Sequence, residues 1–115
     1  MRVLVCGGRD FADEKAAFSA LNALHAVHKF TVVIDGAASG ADAIAAKWAI
    51  EKQLWNFRFP AKWNEHGRGA GPIRNRLMLE KAKPDMVVAL PGGRGTADMI
   101  SAAQQAGVPV ERPLG

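Results

Sequence analysis

The sequence predicts one three-layer α/β domain over residues 1–115, built on a parallel sheet of about five strands in the order 3-2-1-4-5. Three observations carry this. Short apolar runs alternate with stretches of helical periodicity, the pattern left when helices cover both faces of a parallel sheet. Glycine-containing turns follow three of those runs and lead toward helices. Right-handed crossovers then force a change of chain direction between the first and fourth strands, and the crevice at that reversal is the expected ligand site.

The elements follow in order. Strands are expected at 2–6, 31–35, 56–60, 85–90 and, briefly, 109–111. Residues 13–29 carry Phe18, Leu21, Leu24, His25, Val27 and His28 at spacings near three and four, an amphipathic helix with Asp13 as N-cap. A second helix opens at Ser39-Gly-Ala-Asp42 with the spacing of a capping box, and turns Ala45, Trp48 and Ala49 toward the sheet. The stretch Ala61–Ala70 lacks periodicity and reads as a loop long enough to fold over a site. Gly71-Pro72 begins a third helix, which Lys83-Pro84 ends. A fourth helix follows Gly95-Thr96 and stops at Ala106-Gly107.

Composition narrows the class. Half the residues are apolar, with no low-complexity tract, so the chain is an ordered globular protein. The opening residues do not form a signal peptide and no apolar run reaches membrane-spanning length, which gives a cytoplasmic expectation without a membrane partner. One cysteine, Cys6, excludes an internal disulfide and a cysteine-rich metal site; at the end of an apolar strand it reads as a small buried hydrophobe. No His, Asp and Glu spacing suggests a metal, so none is expected, nor a resident cofactor. Net charge is +4, and seven Lys and Arg against two acids fall between Arg58 and Lys83. That segment suits a phosphorylated ligand, a nucleic acid or a merely solvated face.

The run Pro91-Gly92-Gly93-Arg94-Gly95-Thr96 is the strongest signal. Glycines let backbone amides approach an anion, and the helix start adds unpaired donors and partial positive charge. Gly7-Gly8-Arg9-Asp10 and Gly36-Ala-Ala-Ser39-Gly40 repeat the arrangement at neighbouring strand ends. Arg9 can fork onto a phosphate and Asp10 can accept from a ribose hydroxyl, or the two can simply pair. Asp35 is balanced between a sugar hydroxyl and its own loop amides, and Ser39 and Asp42 between ligand contact and capping. Arg74 and Asn75, read as first-turn residues of the third helix, suggest an anion offsetting a cation at a helix N-terminus. Trp48, Trp55 and Trp63 read as core or interface, Trp63 being the one worth testing as a stacking surface. His66 is a loop residue, and His25 and His28 lie on a helix surface.

Pro91-Gly-Gly-Arg-Gly-Thr96, Gly36-Ala-Ala-Ser-Gly-Ala-Asp42 and Gly71-Pro-Ile-Arg-Asn75 together resemble the SLOG superfamily of Rossmann-like nucleotide-binding domains, and within it the small YspA/YpsA-related type. The resemblance implies a nucleotide or nucleotide-derived ligand, a nucleoside phosphate or an ADP-ribose-like molecule, held as by a sensor or binder, and a homodimer. The superfamily's Lonely Guy phosphoribohydrolases cleave nucleotide N-glycosidic bonds using an arginine and a glutamate in Pro-Gly-Gly-x-Gly-Thr-x-x-Glu. Arg74 matches that arginine, but Met99 stands at the glutamate position. The alternative of an N-glycosidase therefore needs a substitute carboxylate from Asp42, Asp10 or Asp98, with Arg74 assisting. Single-stranded nucleic-acid binding, implied by the Smf/DprA relatives, ranks third because aromatic platforms are scarce.

Overall fold

The computed structural model describes residues 1–115. Its sheet has five parallel strands: β1 (Arg2–Cys6), β2 (Val32–Asp35), β3 (Trp55–Arg58), β4 (Met86–Ala89) and β5 (Val110–Glu111), ordered β3-β2-β1-β4-β5. Both the all-parallel sheet and its order agree with the sequence expectation. β1 pairs with both β2 and β4, so the chain reverses its lateral progress at β1. The three central strands are nearly sealed from solvent, as helices on both faces require, whereas the edge strand β3 is largely exposed.

Alternation along the strands sorts the core into two layers. Val3, Val5, Val33, Met86 and Val88 face α1 (Glu14–His28) and α2 (Ala41–Glu51), where Leu21, Ala45 and Trp48 complete the packing. Leu4, Ile34, Val87 and Ala89 face the other helices, whose Met78, Met99 and Ala103 fill that side. Those helices are α4 (Ala70–Leu77), continued by one π-turn over Met78–Ala82, and α5 (Arg94–Gln105). The left-handed Lys83 ends the π-turn immediately before Pro84, as the sequence predicted.

Three local expectations change, and the tryptophans divide. Residues 61–70 are not an irregular loop: Trp63–His66 form a short helix, α3, and Gly67–Gly69 a 3₁₀ turn running into α4. Val27 is 73% exposed, and Ala17 takes an inward position on α1 instead. His25 is no surface residue; its Nδ1 accepts the Phe30 amide at 3.0 Å and its ring meets the edge of Trp48. The bond ties the chain beyond α1 back to its last turn, where the Lys29 amide also donates to His25 O at 2.9 Å. Of the tryptophans, Trp48 is fully buried and donates its indole N–H to Asn22 Oδ1 at 2.9 Å, while Trp55 is 73% exposed.

That contrast is measurable by urea unfolding. Trp48→Ala is expected to lower the unfolding free energy by about 3–5 kcal/mol through the cavity it leaves. Trp55→Ala should change it by less than about 0.5 kcal/mol. Equal losses would contradict the packing described.

Candidate functional site

The carboxyl ends of β1, β2 and β4 open on a cavity of about 860 Å³, within the range of small-molecule sites. Gly7, Gly8, Arg9, Asp10, Gly36, Asp42, Arg74, Asn75 and the whole run from Pro91 to Thr96, all candidate ligand contacts in the sequence, line it. Asp35, Ser39 and Gly40 do not. Phe11, Trp63, Arg68 and Asp98 line it in addition. Of these, Asp98 was a candidate only as a substitute carboxylate, and Arg68 carried no signal beyond the general charge of its segment.

The three glycine turns are not equivalent. At α5 the N-cap is Gly93, one turn earlier than expected from Gly95-Thr96, and Arg94, Gly95 and Thr96 form the first turn. No side chain caps it, so its amides remain available to an anion. The α2 end differs, because the Ala41 amide donates to Gly8 O at 3.1 Å and Asp42 brings a carboxylate into the first turn. The Ser39 hydroxyl donates to Arg9 O at 3.3 Å instead of capping the helix, and Asp42 Oδ2 accepts from Ala38 N at 3.1 Å. The predicted capping box is therefore absent. The β1 turn is a joint as well: the Gly8 amide donates to Pro91 O at 2.9 Å, tying the first glycine turn to the third. A side chain at Gly92 would overlap Thr96 Oγ1 and lie 2.6 Å from Gly8 N, so only glycine lets these turns close on each other.

Asp35 is fully buried and spoken for. It accepts from Ala37 N at 2.7 Å, Asn56 Nδ2 at 2.9 Å and Arg58 Nε at 3.0 Å. This resolves its two alternatives toward the structural one. The bonds anchor the end of β2 to β3 and leave no face for a ribose.

Arg74 stands in the second turn of α4, not the first, because the helix begins at Ala70. The argument from a cation at a helix N-terminus therefore lapses, yet the guanidinium still enters the cavity. Nη1 donates to Gly36 O at 2.5 Å and Nε to Asn75 Oδ1 at 3.0 Å. Gly36 makes room for it: a Cβ there would sit 2.5 Å from Nη1 and 2.8 Å from Cζ. Burial lowers the Arg74 pKa and the nearby Asp42 raises it, leaving a partly desolvated cation. Asn75, nearly buried, passes the restraint on by donating to Asp98 Oδ2 at 3.0 Å and Gly95 O at 3.3 Å.

The carboxylates divide by environment. Asp98 faces the cavity, whereas Met99 is buried in the core beside Ala102. Asp98 is held by Arg76, with Nη1 to Oδ2 at 2.9 Å and Nη2 to Oδ1 at 3.2 Å, and this hydrogen bonding depresses its pKa. Asp10 is exposed at the rim. Asp42 is buried, and desolvation pushes its pKa up to about 6; the Asp35 charge adds to the rise, while the Ala38 amide, Arg74 and Arg58 oppose it. Its Oδ1 has no partner in the protein and is not sealed from the cavity. Cys6, at the cavity floor, is buried with its thiol pKa pushed up to about 12 by burial first and by Asp42 second, which makes it inert. No group of His, Cys, Asp and Glu side chains is arranged to hold a metal ion, and no helix is long and apolar enough to cross a membrane.

Residues 1–66, which include the first two glycine turns and Asp42, match the family described as YAcAr: YspA, cpYpsA-related SLOG family. The chain belongs to that family. The Gene 61 protein of Mycobacterium phage D29 is 38% identical over 117 residues, covering 95% of this chain and 93% of its own length. The fold also matches a molybdenum cofactor binding protein from the phototrophic bacterium Rippkaea orientalis, with a TM-score of 0.70 and 24% identity over 95% of this chain and 73% of that one. The chain is thus a SLOG domain with a Rossmann-like fold.

The Asp42 carboxyl gives this YAcAr site a pH signature. An unfolded aspartate loses its proton near 3.8 and the folded one near 6, so the native state binds more protons in between. Stability from this group therefore falls as pH rises across that window, by up to about 3 kcal/mol, and is constant above it. Asp42→Asn keeps an acceptor for Ala38 N but cannot ionise. Urea unfolding should show the variant gaining on the wild type from pH 4 to 7; a pH-independent difference would contradict the assignment.

Proposed function

We propose that the cavity binds a nucleotide or nucleotide derivative, with phosphate on the α5 turn. The observation that carries this reading is the uncapped first turn at Arg94–Thr96, opening on the same cavity as the Arg74 guanidinium. An anion there meets backbone donors, a helix dipole and a partly desolvated cation together. Asp42 Oδ1 suits a sugar hydroxyl, the role that Asp35 cannot take. The family supports a ligand of this kind, and the Rippkaea protein, named for binding a molybdenum cofactor, is compatible with a ligand in the same fold. The basic segment is a poorer fit to nucleic acid, because Arg58 and Arg76 are committed to Asp35 and Asp98.

A thermal-shift series with nucleoside mono- and diphosphates and ADP-ribose tests this. A ligand at a hundred times its dissociation constant should raise the melting temperature by about 10 °C. Arg74→Ala should weaken binding at least about tenfold. A flat response across the series would overturn the reading.

One observation favours a second reading, N-glycosidic cleavage: Asp42 is a carboxyl poised near neutrality beside Arg74. Water would add to the anomeric carbon and give a proton to the carboxylate. The C–N bond would break with its electron pair going to the base, which takes up a proton. Release of free base from a nucleoside monophosphate, lost by at least about a hundredfold in Asp42→Asn, would support cleavage; no release by the wild type would leave binding alone.

A further inference from the structure

Trp63 brings an indole to the cavity wall. Trp63 is 46% exposed, at the start of α3, and lines the cavity. The Arg9 guanidinium lies 5.0 Å from the ring centroid, so the β1 turn and the segment between β3 and α4 meet through this pair. Trp63 Cη2 lies 3.6 Å from the position a Gly71 side chain would occupy, so the edge of the indole packs close to the start of α4. The indole gains little from one solvated arginine. Of the two aromatic rings that line the cavity, Phe11 and Trp63, the indole is the larger flat surface suited to an aromatic heterocycle.

We propose that Trp63 is the base platform of the site: the aromatic ring of the nucleotide stacks on the indole in place of the Arg9 guanidinium, freeing Arg9 for phosphate. This rests on the nucleotide reading and deepens it, because it assigns the heterocycle to one side chain and the phosphate to others. Arg9 is well suited to the exchange. It is exposed, makes no side-chain hydrogen bond or ion pair, and adjoins Gly8, which is tied to the Pro91 turn. Phosphate affinity and base affinity then separate: ligands without a base bind through the α5 turn and Arg74 and do not touch the indole.

The three tryptophans allow a direct test. Adenosine 5′-monophosphate and ribose 5-phosphate are titrated into the wild type, Trp63→Phe and Trp63→Ala, following calorimetry and tryptophan emission. The platform predicts that the nucleotide changes wild-type emission and that this change vanishes in both variants. It also predicts that Trp63→Ala binds the nucleotide about tenfold more weakly, Trp63→Phe nearly as well as the wild type, and ribose 5-phosphate equally in all three. Wild-type affinity of Trp63→Ala for the nucleotide would overturn the platform while the nucleotide reading stands. Binding of neither compound to the folded wild type would overturn both.

Discussion

The site depends on one clasp, the Arg74 guanidinium reaching from α4 to the Gly36 carbonyl at the end of β2. Desolvating a cation is unfavourable, and the chain offsets it with a backbone acceptor, the Asn75 side chain and the nearby Asp42 carboxyl. The clasp fixes α4 against the sheet edge of the cavity. Through Asn75, which bonds both Gly95 O and Asp98, the same restraint reaches the first turn of α5. The cation and the uncapped amides are thus held in one frame before any ligand arrives, which is the condition for anion binding without reorganisation.

Close backbone approach is the second constraint, and it explains why three similar turns do different work. Gly8 and Gly92 bring the β1 and β4 turns into contact, Gly36 yields space to Arg74, and the α5 start keeps an uncapped first turn that opens on the cavity. Building one cradle takes two supporting turns. The topology requires this arrangement, since β1 and β4 are hydrogen-bonded neighbours whose following turns run to opposite faces of the sheet.

Much of this was legible in the residues. Alternating apolar runs and helical periods marked the elements and glycines marked three strand ends, because both signals depend on local spacing, and the right-handed crossover rule then ordered the strands. What failed depended on partners distant in sequence. Asp35 reads equally as a sugar ligand or an anchor until Asn56 and Arg58 arrive on the neighbouring strand. Ser39 has capping spacing, but Arg9 O competes for its hydroxyl. Arg74 was placed a turn too early because the 3₁₀ segment at Gly67–Gly69 has no hydrophobic period. The cavity-facing carboxylate at Asp98 follows from helix phase: Met99 satisfies the core, and its neighbour must then turn elsewhere.

The central claim is that a phosphate sits on the α5 turn beside Arg74. Amide NMR of the labelled protein, titrated with adenosine 5′-monophosphate, tests it most directly. The account predicts the largest saturable shifts at Gly93, Arg94, Gly95 and Thr96, together with the Arg74 Nε resonance. Shifts confined to other surfaces, or none at saturating ligand, would contradict it.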